Sequence, residues 1–396
     1  MRGETVAHMI KRLRQAKGWS QPRLAAEMCR AAGLPPESLT RQDVYRYEAG
    51  KRTPRDWLPA LALALGVPLA EFEAALAPQK EQPATVADFL PEGDPLAPLK
   101  TRQGRRVGTV DVTDLAGRIH GLRLADDVMA GGDLVAPALR ELRSAVKLYR
   151  EGAHTEEIGR ALLAQIGELA QIAGWIAADA GQQDEAERIY RLGLSAAQQA
   201  EDVTGVGNLS GSLAYMWANN GQADKAVELA RAGLSDDAPP KARALHWDRV
   251  AWAHTQANEP KPAIRALGEA RDALGQDHGD NPPFLYWVSQ DELTVMEARV
   301  YTELHRPLRA VPILTEVLAR YDATRARELA LYLSWLAVAY ADANEPEEAA
   351  ATAQRVISMA ADVASDRTAA RVSAVLDRLR EYDDVPEVRA VLDGAA

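Results

Sequence analysis

The sequence is poor in cysteine. Cys29 is the one thiol in 396 residues, which excludes an internal disulfide framework, and it reads as a core residue of its helix. Seven scattered histidines show no metal-ligand spacing, so no metal is expected. Phosphate-binding glycine loops and nucleophile elbows are also missing, and the chain is therefore read as a non-enzyme without a cofactor. Long apolar runs are scarce. The best stretch, residues 58–67, is interrupted by Pro59 and Gly66, short of the roughly 18–20 residues that a bilayer span needs. The opening Met1-Arg2-Gly3-Glu4-Thr5 holds no apolar core of an export signal. These absences point to a cytoplasmic protein with no membrane partner. What remains is ordinary for a folded chain of two or three domains, with 47% hydrophobic and 26% charged residues.

Charge is unevenly spread. Residues 1–77 carry 12 Lys and Arg against 8 Asp and Glu, whereas the rest carries 34 against 49. A basic head on an acidic body is the pattern of a nucleic-acid-binding module joined to a regulatory one, because phosphate attraction is needed at one surface only.

The head reads as a series of short helices. Val6, Ile10 and Leu13 fall at helical spacing and stop at Lys17-Gly18. Ser20 can cap a second helix with Pro22 in its first turn and Leu24, Ala25 and Met28 as its buried stripe. Thr40 caps a third, with Asp43 completing a capping box and Gly50 ending it. Val44 and Tyr47 then face inward, leaving Arg41, Gln42, Tyr45 and Arg46 outward. Arginine and glutamine match guanine and adenine edges in the major groove. Lys51, Arg52 and Arg55 follow in a loop suited to phosphate contact.

On Arg14, Gly18, Ser20-Gln21, Leu24-Ala25, Glu48, Gly50, Pro54 and the closing residues 61–67, this segment resembles the Xre family of bacterial helix-turn-helix regulators. The resemblance implies a lambda-repressor-like fold, Gln21 at the DNA, and Arg14 with Glu48 as a structural ion pair. The separation of Gln21 from Glu48 exceeds the family's usual spacing, with Leu34-Pro35-Pro36-Glu37 as the insertion. The expected contacts with double-stranded DNA are Gln21, Thr40, Arg41, Gln42, Tyr45, Arg46, Lys51, Arg52 and Arg55.

Residues 78–110 are rich in proline and read as a tether, in which Val86, Phe89 and Leu90 could dock as a short helix and Arg102, Arg105 and Arg106 form a small basic cluster. Residues 111–396 repeat. Turns aligned at Gly181, Gly221, Glu259, His305 and Glu345 are spaced by 40, 38, 46 and 40 residues. Five residues after each stand Ala186, Ala226, Ile264, Ala310 and Ala350, with Ile264 the exception. Twelve before each stand the apolar Leu169, Leu209, Trp247, Leu293 and Leu333. Paired amphipathic helices at this period mean an all-α solenoid of the tetratricopeptide class. Its first helices would line a groove whose ligand contacts are Trp175, Asn208, Tyr215, His246, Arg249, Glu292, Arg299, Tyr332 and Trp335. For any one of these residues, helix packing is an equal alternative.

Head, tether and repeat in this order resemble actinobacterial regulators that join an Xre-type head to a tetratricopeptide body, and more distantly the peptide-responsive quorum-sensing regulators. Arginine at 37 against lysine at 9 fits a GC-rich genome. The resemblance implies a homodimeric transcriptional regulator, with repression the expected sign, whose DNA affinity responds to a peptide or small-molecule effector in the groove. The alternative is a tetratricopeptide adaptor that meets a protein partner and uses the head as a tether.

Overall fold

A computed structural model describes residues 6–76, 83–97, 104–129, 131–279, 281–321, 326–360 and 366–395. Among these residues there are nineteen α-helices, a few 3-10 turns and one isolated β-bridge, between Arg106 and Ala153. The chain divides into two compact units, residues 1–83 and 84–396.

The first unit holds α1 (Val6–Ala16), α2 (Gln21–Ala31), α3 (Arg41–Glu48), α4 (Leu58–Leu65) and α5 (Leu69–Leu76). Its core joins Ile10 of α1, Leu24, Met28 and Cys29 of α2, Val44 and Tyr47 of α3, Leu61 of α4 and Phe72 of α5. Local signals set the helix ends. Ser20 accepts from the Arg23 amide, and at α3 Thr40 and Asp43 cap each other reciprocally: the Asp43 amide donates to Thr40 Oγ1 at 3.3 Å and the Thr40 amide to Asp43 Oδ2 at 3.1 Å. Gly50 closes α3 at φ +68°, a conformation that disfavours any side chain.

Val86 and Phe89 lie on the short helix that the tether reading allowed for, and with Leu96 they are buried in the core of the body, where Arg191 Nη1 donates to the Phe89 carbonyl at 2.7 Å. The second unit therefore begins earlier than the tether's end at residue 110, because three apolar side chains along residues 86–96 bury enough surface to dock the segment. Arg105 pairs with Asp111, whereas Arg102 lies outside the described residues.

The body runs through α6 (Thr109–Val128) and α7 (Gly131–Glu151) into five helical hairpins. These are α8 (Glu156–Asp179) with α9 (Gln183–Gln199), α10 (Val203–Asn219) with α11 (Ala223–Ala232), α12 (Pro240–Gln256) with α13 (Pro260–Leu274), α14 (Gln290–Glu303) with α15 (Pro307–Ala319), and α16 (Ala326–Asp342) with α17 (Pro346–Ala360). The chain ends in α18 (Asp366–Leu379) and α19 (Pro386–Gly394). Each first helix packs on the next, so that α8, α10, α12, α14 and α16 form one continuous layer.

The hairpin turns correct the repeat register. The residue in the left-handed conformation is Gly181, Gly221, Asn258, His305 and Asn344, so the third and fifth turns lie one residue earlier than Glu259 and Glu345. After four of the five, a pair of bonds closes the helix, for example Asn258 N to Thr255 O at 2.9 Å and Glu259 N to His254 O at 2.9 Å. In this register the residue five positions on is Ala186, Ala226, Ala263, Ala310 and Ala349, each fully buried, and the exception at Ile264 disappears. Asparagine accepts the left-handed conformation at small cost, so it takes the glycine's place.

Helix α8 is long and apolar enough to cross a membrane by length and composition, although no such run was expected from the sequence; 67% of its most apolar window is buried inside the body. It is a core helix, touching α6, α7, α9 and α10.

Candidate nucleic-acid interface and interior cavities

On α3 the split between faces follows from helical geometry. Val44 and Tyr47 are buried, and Arg41, Gln42, Tyr45 and Arg46 point to solvent. Lys51, Arg52 and Arg55 are exposed in the loop behind them. Asp43 sits among these cations at 3.8 Å from both Arg46 and Arg52. The Thr40 hydroxyl and amide, bonded to the Asp43 carboxylate, hold its pKa below the ordinary value. Both arginines are about half exposed, and such surface pairs hold them weakly, so they can turn towards a phosphate or a base. The Lys51 ammonium lies 5.8 Å from the Tyr45 ring centre. Thr40 is committed to capping: its hydroxyl donates to Asp43 Oδ2 at 2.6 Å.

Gln21 sits in the Arg14–Glu48 cluster. Glu48 accepts from Arg14 Nε at 2.5 Å, from Arg14 Nη2 at 3.0 Å and from Gln21 Nε2 at 2.8 Å. Arg14 Nη1 donates to the Trp19 carbonyl at 2.6 Å, so one cluster ties α1, the turn and α2 to the end of α3. The hydrogen bond to Glu48 raises the Arg14 pKa further against the opposing effect of burial. Two cations the sequence reading did not select, Lys17 and Arg23, flank the Trp19 ring at 5.0 and 5.4 Å. Arg23 stands two residues past Gln21, which was the available signal.

In the body, the first helices carry a ladder of rings. Trp175, Tyr215 and Trp252 are each six residues before their left-handed turn residue. Trp175 stacks on Tyr215 and Tyr215 lies tilted against Trp252, both with centres 5.9 Å apart, and Trp252 meets Trp335 edge-on at 5.6 Å. The fourth hairpin places Arg299 at the equivalent position. Its guanidinium carbon lies 4.7 Å from the centre of Trp252, 5.2 Å from Trp335 and 5.6 Å from Tyr215, and its Nη2 donates to Tyr215 Oη at 2.7 Å. Arg249 covers the same tyrosine at 4.5 Å. Burial works to lower the Arg299 pKa, but Tyr215 and Asp248 raise it overall. Glu292 accepts from Tyr332 Oη at 2.5 Å and Tyr321 Oη at 2.6 Å; burial and then this carboxylate push the Tyr332 pKa well up.

Two cavities flank the Tyr215–Arg299 pair, which lines both. The smaller, about 140 Å³, is bordered by Asn208, Arg249, Glu292 and Tyr332, with Arg123 and Gln171 at its α6–α8 side. The larger, about 490 Å³, is bordered by Tyr190, Trp252, Trp335 and Arg371. The structure thus gathers every expected groove residue except His246. That ring is buried against α11, where its Nε2 meets the Ala230 carbonyl at 2.7 Å, and it borders only a gap of about 20 Å³, room for one water. His246 stood in a column shifted by the one-residue register error, although Arg249, Tyr332 and Trp335, shifted alike, do line the cavities. Trp252, Arg371 and Arg123 were missed for the same reason or because they lie outside the five hairpins.

Residues 6–75 match the family model described as a helix-turn-helix domain. No curated protein matches the chain. The match lies within the first unit; among the described residues the fold is all-α, with an N-terminal helix-turn-helix domain followed by a region of repeating helical hairpins.

Proposed function

We propose that the protein is a sequence-specific DNA-binding transcriptional regulator of Xre type, homodimeric, whose operator affinity is set by a ligand held inside a tetratricopeptide-like body. The observation that carries the first part is the solvent-facing set Arg41, Gln42 and Arg46 on a capped helix of a basic helix-turn-helix domain. Arg41, Gln42 and Arg46 would read base edges, while Lys51, Arg52 and Arg55 would neutralise phosphates. The two cavities beside Tyr215 and Arg299 support the second part. A ligand preferring one arrangement of the first helices would shift the population of body conformations and so the DNA affinity.

Site selection from random duplexes, followed by affinity measurement across salt, tests the reading. Gln42→Ala and Arg46→Ala should each cost about 1–3 kcal/mol at the selected site and little on unrelated DNA. Lys51→Ala should weaken both. Binding should fall steeply between about 50 and 200 mM salt. Recovery of the same sequence at the same affinity with the Gln42 and Arg46 variants would remove α3 as the reader and favour the adaptor.

A further inference from the structure

Three features of the larger cavity converge on one ligand chemistry. Its walls are aromatic and apolar, with Trp175, Trp252, Trp335, Leu331 and Met216 among them. It also holds two guanidinium groups, those of Arg299 and Arg371, on the same indole: their carbons lie 5.2 and 3.5 Å from the Trp335 ring centre. Burial brings the Arg371 pKa down to about 10, and the charge of Arg299 adds to that effect, so the two cations repel each other. Finally, among the described residues Arg299 Nε, Arg371 Nη2 and Tyr190 Oη find no hydrogen-bond partner although all three are shut off from solvent. A buried donor left unmade costs about 1–3 kcal/mol, more for a charged group.

The Glu303 carboxylate does not satisfy these three donors. Glu303 lies 3.9 Å from Arg371 Nη1, a loose pairing through the other nitrogen. Asp179 is the remaining acid of the lining, on the last turn of α8.

We propose that the larger cavity is a binding site for a small organic carboxylate with an aromatic or apolar body, the carboxylate held by Arg299 and Arg371 and the body stacked among the indoles. This names the ligand class for the effector site proposed above and rests on that reading. A planar carboxylate matches a guanidinium fork in two parallel bonds, and placed between two buried cations it relieves their repulsion. The volume of about 490 Å³ lies within the range of small-ligand pockets, roughly 300–1,000 Å³. It suits one aromatic acid rather than an extended peptide lying along the helices.

The test uses the full chain and three matched probes: 2-naphthoate, 2-naphthamide and 2-naphthylmethylamine. Binding is followed by tryptophan fluorescence and titration calorimetry. Naphthoate should bind at least about ten-fold more tightly than the amide, equivalent to one charge-assisted contact. Arg371→Gln should lose that preference, and Arg371→Lys should recover part of it, with thermal unfolding and circular dichroism confirming that both variants fold. Equal affinity for acid and amide, preference for the amine, or no binding of any probe at millimolar concentration each overturns the proposal. So does undiminished naphthoate binding by Arg371→Gln. Failure of the site-selection experiment would sink the regulator and leave this site standing, whereas preference for the amine would do the reverse.

Discussion

Removal of the Glu48 carboxylate should loosen the whole helix-turn-helix unit. In Glu48→Ala, Arg14 loses two charge-assisted hydrogen bonds and Gln21 loses one neutral-donor bond to a carboxylate, at a site where the glutamate side chain is 5% and the arginine 12% exposed. Hydrogen bonds to charged groups contribute about 1.5–3 kcal/mol each, and removing one partner of a buried pair costs about 3–5 kcal/mol. Arg14 keeps its bond to the Trp19 carbonyl and one edge in water, which places the expected loss lower, at about 2–4 kcal/mol. A small domain has only about 5 kcal/mol or somewhat more to lose. The assay is hydrogen exchange of segments 6–16 and 41–48 within the full chain, where protection should fall by about one and a half to three orders of magnitude while the body is unaffected. The double variant Arg14→Leu with Glu48→Leu should cost clearly less than the two single changes added together. Protection unchanged in Glu48→Ala, or strict additivity in the double variant, would refute the claim that this cluster fastens α3.

Stability in acid should report on His246. Burial pushes its pKa down to about 4, so between pH 6.5 and 4 the unfolded chain binds a proton that the folded chain refuses; stability falls as pH drops through that window, by up to about 3 kcal/mol. Asp248, raised by burial, acts in the opposite sense, and the readout is therefore the difference in Tm slope between wild type and His246→Gln, with equal slopes refuting the assignment. The repeat register is tested by a neighbouring pair: Ala263→Leu should overpack a closed contact and cost about 1–3 kcal/mol in urea unfolding, whereas Ile264→Leu at the half-buried next position should cost much less. The reverse order would restore the alignment on Glu259.

The head was legible because its signals are local. Thr40 with Asp43, Ser20 with the following proline, and the alternation of Val44 and Tyr47 with exposed neighbours each depend on residues within one or two turns, and the structure has them so. Gln21 was placed by resemblance at the DNA, but its amide bond to Glu48 depends on the packing of α2 against α3 across 27 positions, which no local pattern encodes. In the body, glycine marks two of the turns, whereas at the third and fifth asparagine holds the left-handed place and an acidic residue follows it. One slipped residue turns a helix by about 100°, so a column read in the wrong register mixes helix faces. Trp252 could have been found once Ala263 replaced Ile264 in the column.

The corrected register makes Arg299 the informative departure. A column that reads Trp175, Tyr215, Trp252 would close with another ring if packing alone governed it, because a buried guanidinium carries a desolvation cost of several kcal/mol that an apolar side chain of similar volume avoids. Arg299 meets rings from the second, third and fifth hairpins while standing on the fourth, so four first helices share one cation. Any shift of a neighbouring helix changes its surroundings, and any anion that draws it away from Tyr215 changes what those helices pack against. Cores of this kind switch between discrete arrangements rather than deforming smoothly. Under the proposal above, Arg299 would be the point at which a bound acid and the packing of successive hairpins compete for the same group, which is the physical requirement for coupling a ligand to the arrangement of the body.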